Sequence, residues 1–209
     1  GVARKDELVV TKSIVRAGKD AFVKSAKPSK NFAARTRLRL QPNAQVGFLQ
    51  LKSPAPKGAT IVSASLVLTQ VDGFVGAVTI LAQRVASKWG QEKLTWNNQP
   101  GVSGTQVSLS KGSPGSGTKW VFNVTTDVQA WTDGAACYGW RLQTQSLGSE
   151  IRVGSLDAAS SSARPYLEVE WSVAPEAPTI LKPSYGAVSA PKPIVSCDFT
   201  DHSGSGSCI

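Results

Sequence analysis

From Trp89 to Pro100 the chain reads Trp89-Gly90-Gln91-Glu92-Lys93-Leu94-Thr95-Trp96-Asn97-Asn98-Gln99-Pro100, with its two tryptophans seven residues apart. An Asn-Asn pair just before proline neither extends a strand nor continues a helix. The segment is therefore predicted to be a corner where a β-rich chain reverses. Its two indoles are large enough to plug one end of the fold. Such a corner serves architecture and points to a structural or binding module more than to an enzyme.

Period-two alternation dominates the remainder, and helical periodicity is scarce. Strands are predicted over residues 8–15, 20–24, 36–41, 46–51, 60–71, 77–85, 105–110, 119–124, 138–144, 150–154 and 166–173. Lys27-Pro28-Ser29-Lys30-Asn31, Pro54-Ala55-Pro56-Lys57-Gly58 and the Gly/Ser/Pro stretch 111–118 punctuate them. One helix is expected, capped by Thr125 or Thr126, with Asp127 at its positive end and Gly134 terminating it. Val128 and Trp131 then share a side, and Trp131 packs over the mouth of the sandwich. The fold class is all-β: an antiparallel, jelly-roll-like β-sandwich with one short helix.

At 209 residues the chain has room for one such domain and a remainder. Residues 1–17 are expected to form a basic arm or first strand, and 18–173 the sandwich. Residues 174–178, Ala174-Pro175-Glu176-Ala177-Pro178, make a stiff linker. Residues 179–209 read as the start of a second, truncated β domain. No stretch approaches the roughly 20 apolar residues of a membrane span.

The net charge of +9 is unevenly placed. Residues 1–40 hold 11 Lys/Arg against 3 Asp/Glu, whereas the rest hold 12 against 11. A basic segment on a near-neutral body suggests an anionic partner, or else a solvated arm. Within it, alternation puts Arg35, Arg37 and Arg39 on one strand face, about 6.7 Å apart. Crowded guanidiniums repel unless an anion or carboxylates sit between them, and they grip carboxylate or phosphate in forked pairs. The stripe is the best candidate ligand site; the alternative is a solvated face that resists edge pairing.

Few residues suggest chemistry. His202 lies between Asp201 and Ser203, but sequence adjacency does not build a catalytic relay. Glu168 and Glu170 share a strand face at a spacing a glycosidase could use, yet opposite Leu167, Val169 and Trp171 they read as a solvated outer face. Trp120, Trp140 and Trp171 alternate with apolar neighbours and read as core; Trp89, Trp96 and Trp131 are weighed as core against sugar platforms. Asp72, Asp127 and Asp157 form no calcium loop. Cys137 reads as a small buried hydrophobe, and Cys197 and Cys208 could close a disulfide in an oxidising setting. No catalytic residue, metal or cofactor is expected.

Several pieces in order resemble the DNRLRE domain, a carbohydrate-binding-module-like β-sandwich of secreted, surface and phage-tail proteins. They are Asp20-Ala21-Phe22-Val23, Gly58-Ala59-Thr60-Ile61, Trp89 with Thr95-Trp96-Asn97-Asn98-Gln99-Pro100, Val128-Gln129-Ala130-Trp131, Tyr138-Gly139 with Leu142, and Arg164-Pro165-Tyr166-Leu167-Glu168-Val169. The chain departs from the pattern at three places: Gln91 replaces an acid, Lys52 replaces the acid of a Phe-Asp-Leu strand, and Leu156 replaces an arginine beside Asp157. A ligand site built on those groups does not carry over. Residues 179–209 are similar to the start of an immunoglobulin- or fibronectin-like domain.

The resemblance implies a non-catalytic, surface-exposed module of a larger protein. The expected setting is a phage minor tail protein that contacts host envelope glycan or neighbouring virion subunits within an oligomeric assembly. The alternative is a polysaccharide-binding module of a secreted carbohydrate-active enzyme; a third reading is an architectural spacer without a ligand. Acidic cell-envelope polysaccharide is the expected glycan. Nucleic acid is not, because the basic residues are not interleaved with exposed aromatics.

Overall fold

The computed structural model describes residues 9–72, 74, 76–145 and 150–174. All of them fall in one compact unit, Gly1–Pro175. The proposed second domain, the linker beyond Ala174, His202, Cys197 and Cys208 lie outside the described residues.

The chain forms an antiparallel, all-β sandwich with one helix. Its strands are β1 (Val10–Val15), β2 (Gly18–Lys24), β3 (Arg37–Leu40), β4 (Gln45–Leu51), β5 (Thr60–Thr69), β6 (Ala77–Val85), β7 (Val102–Gly112), β8 (Lys119–Asn123), β9 (Trp140–Thr144), β10 (Ile151–Gly154) and β11 (Tyr166–Ser172), with α1 (Thr125–Thr132) between β8 and β9. One sheet runs β1-β11-β5-β8, another β2-β4-β9-β6-β7, and β3 pairs with β10. The predicted first strand is thus a true edge strand, paired with β11 from Val10↔Ser172 to Val15↔Leu167. The β7 strand is longer than expected at both ends: Gly112 reads as a turn residue yet pairs with Ala77, and Gly104, at φ +69, sits where the register with β6 shifts between Ala82 and Arg84, so the strand runs on through an irregularity.

The main core lies between the sheets and is filled by Leu49, Leu66, Ile80, Trp120, Phe122 and Trp140, all fully buried. β4 does not alternate, because every one of its residues is buried. Leu49 and Leu51 face the main core, while Val46 and Phe48 face a second cluster with Ala21, Val23, Val85, Trp89 and Leu94. The tryptophan corner builds that second cluster. Trp89 packs on Phe48 at 5.8 Å between ring centres, and Trp96 lies half-buried against the cluster. The corner therefore covers the outer face of the five-stranded sheet rather than plugging the end of the sandwich, because successive side chains on β2 and β4 point to opposite faces.

The helix docks where expected but is capped differently. Val124 is its N-cap and makes no side-chain cap bond. Thr125 instead turns its hydroxyl to accept from the Ala64 amide at 3.0 Å, and Asn123 accepts from the Thr125 amide at 3.1 Å. Gln129 ties the helix to β5 by accepting from the Ile61 amide at 2.7 Å and donating to the Ala59 carbonyl at 3.1 Å. Trp131 meets Trp140 at 4.8 Å, so it does lie over the sandwich. Asp127 is buried, accepting from the Trp140 indole at 2.8 Å and pairing with Arg84 at 3.3 Å. Burial raises its pKa, and the indole bond and Arg84 oppose that rise. No described helix is long and apolar enough to cross a membrane.

Candidate functional site

A cleft of about 570 Å³ opens where the start of β2, the end of β4 and the α1–β9 loop meet. Lys19, Gln50, Lys52, Lys88, Cys137 and Tyr138 line it, and no acidic side chain among the described residues does. The antiparallel register sets Lys19 beside Gln50 and Gly18 beside Leu51, which brings Lys52 alongside. Lys88 arrives from the tryptophan corner. Lys19 donates to the Trp89 carbonyl, and its ammonium lies 4.3 Å from the centre of the Trp89 ring. The Trp89 indole donates to the Tyr138 carbonyl at 2.8 Å, locking corner to loop. Gln50 donates to the Cys137 carbonyl, fixing the other wall.

The electrostatics of the cleft follow from its walls. Burial lowers the pKa of Lys19, and the charges of Lys88 and Lys52 lower it further. An anion placed among the three ammoniums would relieve that repulsion. Cys137 is half-exposed on this cleft, not buried as expected, because it sits in the α1–β9 loop that forms the cleft wall. Burial still raises its thiol pKa.

Two smaller hollows continue the cleft. One, of about 230 Å³, shares Lys52 and Cys137 and adds Trp131. The other, of about 290 Å³, shares Tyr138 and adds Trp131 and Arg84. The result is a cationic groove around the 135–138 loop, edged by two half-exposed aromatic rings. Such rings offer flat apolar faces to sugar, and the cations offer polar anchors.

The predicted arginine stripe is laid out differently. Leu38 and Leu40 are buried and Arg37 and Arg39 lie on the other side, as alternation requires, whereas Arg35 precedes β3 and is not on the strand face as expected. Two of the three are already paired: Arg37 with Asp72 at 3.6 Å and Arg39 with Glu150 at 3.3 Å. Arg152, opposite Arg39 across the strand pair, also binds both acids. Burial pushes the Glu150 carboxyl up, but hydrogen bonds from Arg152 and Gln45 and the charges of Arg39 and Arg152 outweigh it and hold the pKa low. Carboxylates thus sit between these cations. Arg35 makes no ion pair among the described residues.

The other candidates resolve as structure. Glu168 and Glu170 clamp Lys12 of β1 on the outer face, the second at 3.1 Å. Trp89, Trp120, Trp140 and Trp171 are core, while Trp96 and Trp131 are half-buried. The groove lysines escaped the sequence reading because they are far apart in the chain. The available signal was Lys52, a cation where the resembled pattern carries an acid.

An antiparallel sandwich with a cationic, aromatic-edged groove in its loops has the build of a ligand-binding β module rather than of a scaffold alone. The model of carbohydrate-binding module family 96 matches residues 11–171, and the chain belongs to that family. The expected kinship with carbohydrate-binding modules is thereby shown; the DNRLRE name and the virion-tail setting do not come with the match. Among curated relatives, the tRNA nuclease WapA of Bacillus subtilis (strain 168) is 25% identical over 173 residues, covering 74% of this chain and 7% of the relative. The tRNA3(Ser)-specific nuclease WapA of Bacillus spizizenii is 24% identical over 172 residues, with the same shares covered. The chain thus spans a small fraction of the length of these relatives.

Proposed function

We propose that the chain is a non-catalytic module that holds a larger secreted or surface protein to acidic polysaccharide, with the Lys19–Lys52–Lys88 groove as its site. The observation that carries this reading is three ammonium groups around one cleft with no carboxylate among the described residues of its walls. A polymer of acidic sugars supplies the missing negative charge, and Tyr138 and Trp131 supply surfaces for its rings. Family membership supports the class of ligand. The minor share of each nuclease relative that the chain matches is consistent with an accessory module, and a virion-tail host protein would use it in the same way.

The test is affinity electrophoresis of the full chain through gels containing polygalacturonate, a neutral glucan, or no polymer. Retardation by polygalacturonate alone is expected. It should be lost in Lys52→Glu and Lys88→Glu and should weaken as salt shortens the Debye length from about 30 Å at 0.01 M to about 10 Å at 0.1 M. Equal retardation of wild type and both variants would remove the groove from the reading. Tighter binding to an RNA oligonucleotide than to any glycan would replace the ligand class.

A further inference from the structure

Side chains alternate along β2, so Phe22 and Lys24 lie on the face opposite Lys19. With Lys27, Phe32, Arg35 and Arg39 they line a separate hollow of about 160 Å³. A neighbouring hollow of about 210 Å³ is lined by Arg35, Thr36, Arg37 and Arg39. We infer that this basic pocket is a second site, independent of the lysine groove, which binds a phosphate- or sulfate-ester group carried on a hydroxyl-bearing sugar or polyol.

The charge balance comes first. Asp72 and Glu150, the acids paired with the arginines of this face, are already bound by Arg37, Arg39 and Arg152. Lys24, Lys27 and Arg35 make no ion pair among the described residues, so three uncompensated cations and Arg39 surround one small hollow. A carboxylate offers two oxygens to such a ring of donors. A tetrahedral ester oxyanion offers three, and a guanidinium grips it with two parallel bonds. The backbone of Arg35 is also anchored: its amide donates to the Ala33 carbonyl at 2.9 Å, and its carbonyl accepts from the Ser155 hydroxyl.

Gln45 supplies the second, independent observation. It lines the hollow and is 2% exposed. Its amide nitrogen donates to Gln41 at 2.9 Å and to Glu150 at 2.6 Å, which fixes the orientation of the amide. Its oxygen Oε1 is then left buried without a donor. A fully ionised oxyanion has no hydrogen to donate to this acceptor, whereas a hydroxyl beside the ester does. Phe22 and Phe32 stack on each other at 4.7 Å, and both are buried. Their faces are not open to nucleobases, which disfavours single-stranded nucleic acid.

The experiment is an NMR titration of the full chain that follows the arginine Nε–H signals, at fixed ionic strength. The probes are glucose 6-phosphate, glucose 6-sulfate, glucuronate and an RNA oligonucleotide. Saturable shifts at Arg35 and Arg39 are expected with the phosphate or sulfate ester, and the two arms identify which. Affinity should fall roughly tenfold in Arg35→Ser and again in Lys24→Ser, the loss of one charged hydrogen bond each. Lys52→Glu should leave these shifts unchanged, which separates this site from the groove. Absence of saturable shifts, equal affinity in Arg35→Ser, glucuronate binding as tightly as the esters, or tighter binding of RNA at the same signals would each overturn the inference.

Discussion

Asp20 is a carboxyl on β2 that is 1% exposed. Its Oδ2 accepts from the Leu156 amide at 2.6 Å, and its Oδ1 has no partner. Burial raises its pKa to about 7; the Leu156 bond opposes the rise and the charge of Asp157 adds to it. An unfolded aspartate titrates near 3.8. Between those values the folded chain holds a proton that the unfolded chain has released. Stability must therefore fall as pH rises from about 4 to about 7 and level off above that. The gap corresponds to at most about 4 kcal/mol. Asp20→Asn keeps the shape and the acceptor for Leu156 but cannot ionise. At pH 4 the protonated carboxyl and the amide are near-equivalent, so parent and variant should unfold at similar urea concentrations. At pH 8 the variant should be the more stable by about 1–4 kcal/mol, with an unchanged urea slope. Leu156→Arg, which restores the residue of the resembled pattern, should flatten the pH dependence by giving ionised Asp20 a partner. Parallel pH profiles for parent and Asp20→Asn, or a variant that loses more stability at pH 8 than at pH 4, would show that Asp20 is ionised and compensated in the fold, and the reasoning would fail.

Two further outcomes are expected. Gly139→Ala would force a side chain into a backbone at φ +81 and drive its Cβ into the Leu49 carbonyl, so urea unfolding should show a loss of about 3 kcal/mol or more. Cys137, raised in pKa by burial but facing the groove, should react with a maleimide at pH 8 more slowly than free glutathione does; a bulky adduct there should abolish retention on acidic polysaccharide while a methylthio adduct should not.

Strands with one wet face were legible in the sequence, because their alternation reports the burial directly: Leu38 and Leu40 against Arg37 and Arg39, or Trp120 and Phe122 against Val121. β4 was legible only as an apolar run. Its second buried face depends on the tryptophan corner folding back from some 40 residues away, which no local pattern records. The helix was found, but its cap was misassigned. Thr125 has the chemistry of a cap, yet the unpaired Ala64 amide competes for its hydroxyl and wins.

The ligand-binding residues divide along the same physical line. Arg37 and Arg39 are spaced two apart on β3, so strand geometry alone brings them together, and Arg35 joins them from the segment just before the strand. Which of them are free for a ligand depends on Asp72 and Glu150, which arrive from other elements and neutralise Arg37 and Arg39. Lys19, Lys52 and Lys88 show the reverse. Nothing local joins them, and only the β2–β4 register and the corner bring them to one cleft. With no acid among the described residues of the cleft walls, they keep their charge for a partner. The two sites should differ in salt response: retention through the groove should decay steeply with ionic strength, since Lys52 and Lys88 are exposed and act on a polymer as open point charges. The pocket at Arg35 should decay less, because forked, partly desolvated contacts are screened less than open ones. Steep decay through the Arg35 pocket together with salt-resistant retention through the groove would mean that the open and the forked contacts have been assigned the wrong way round.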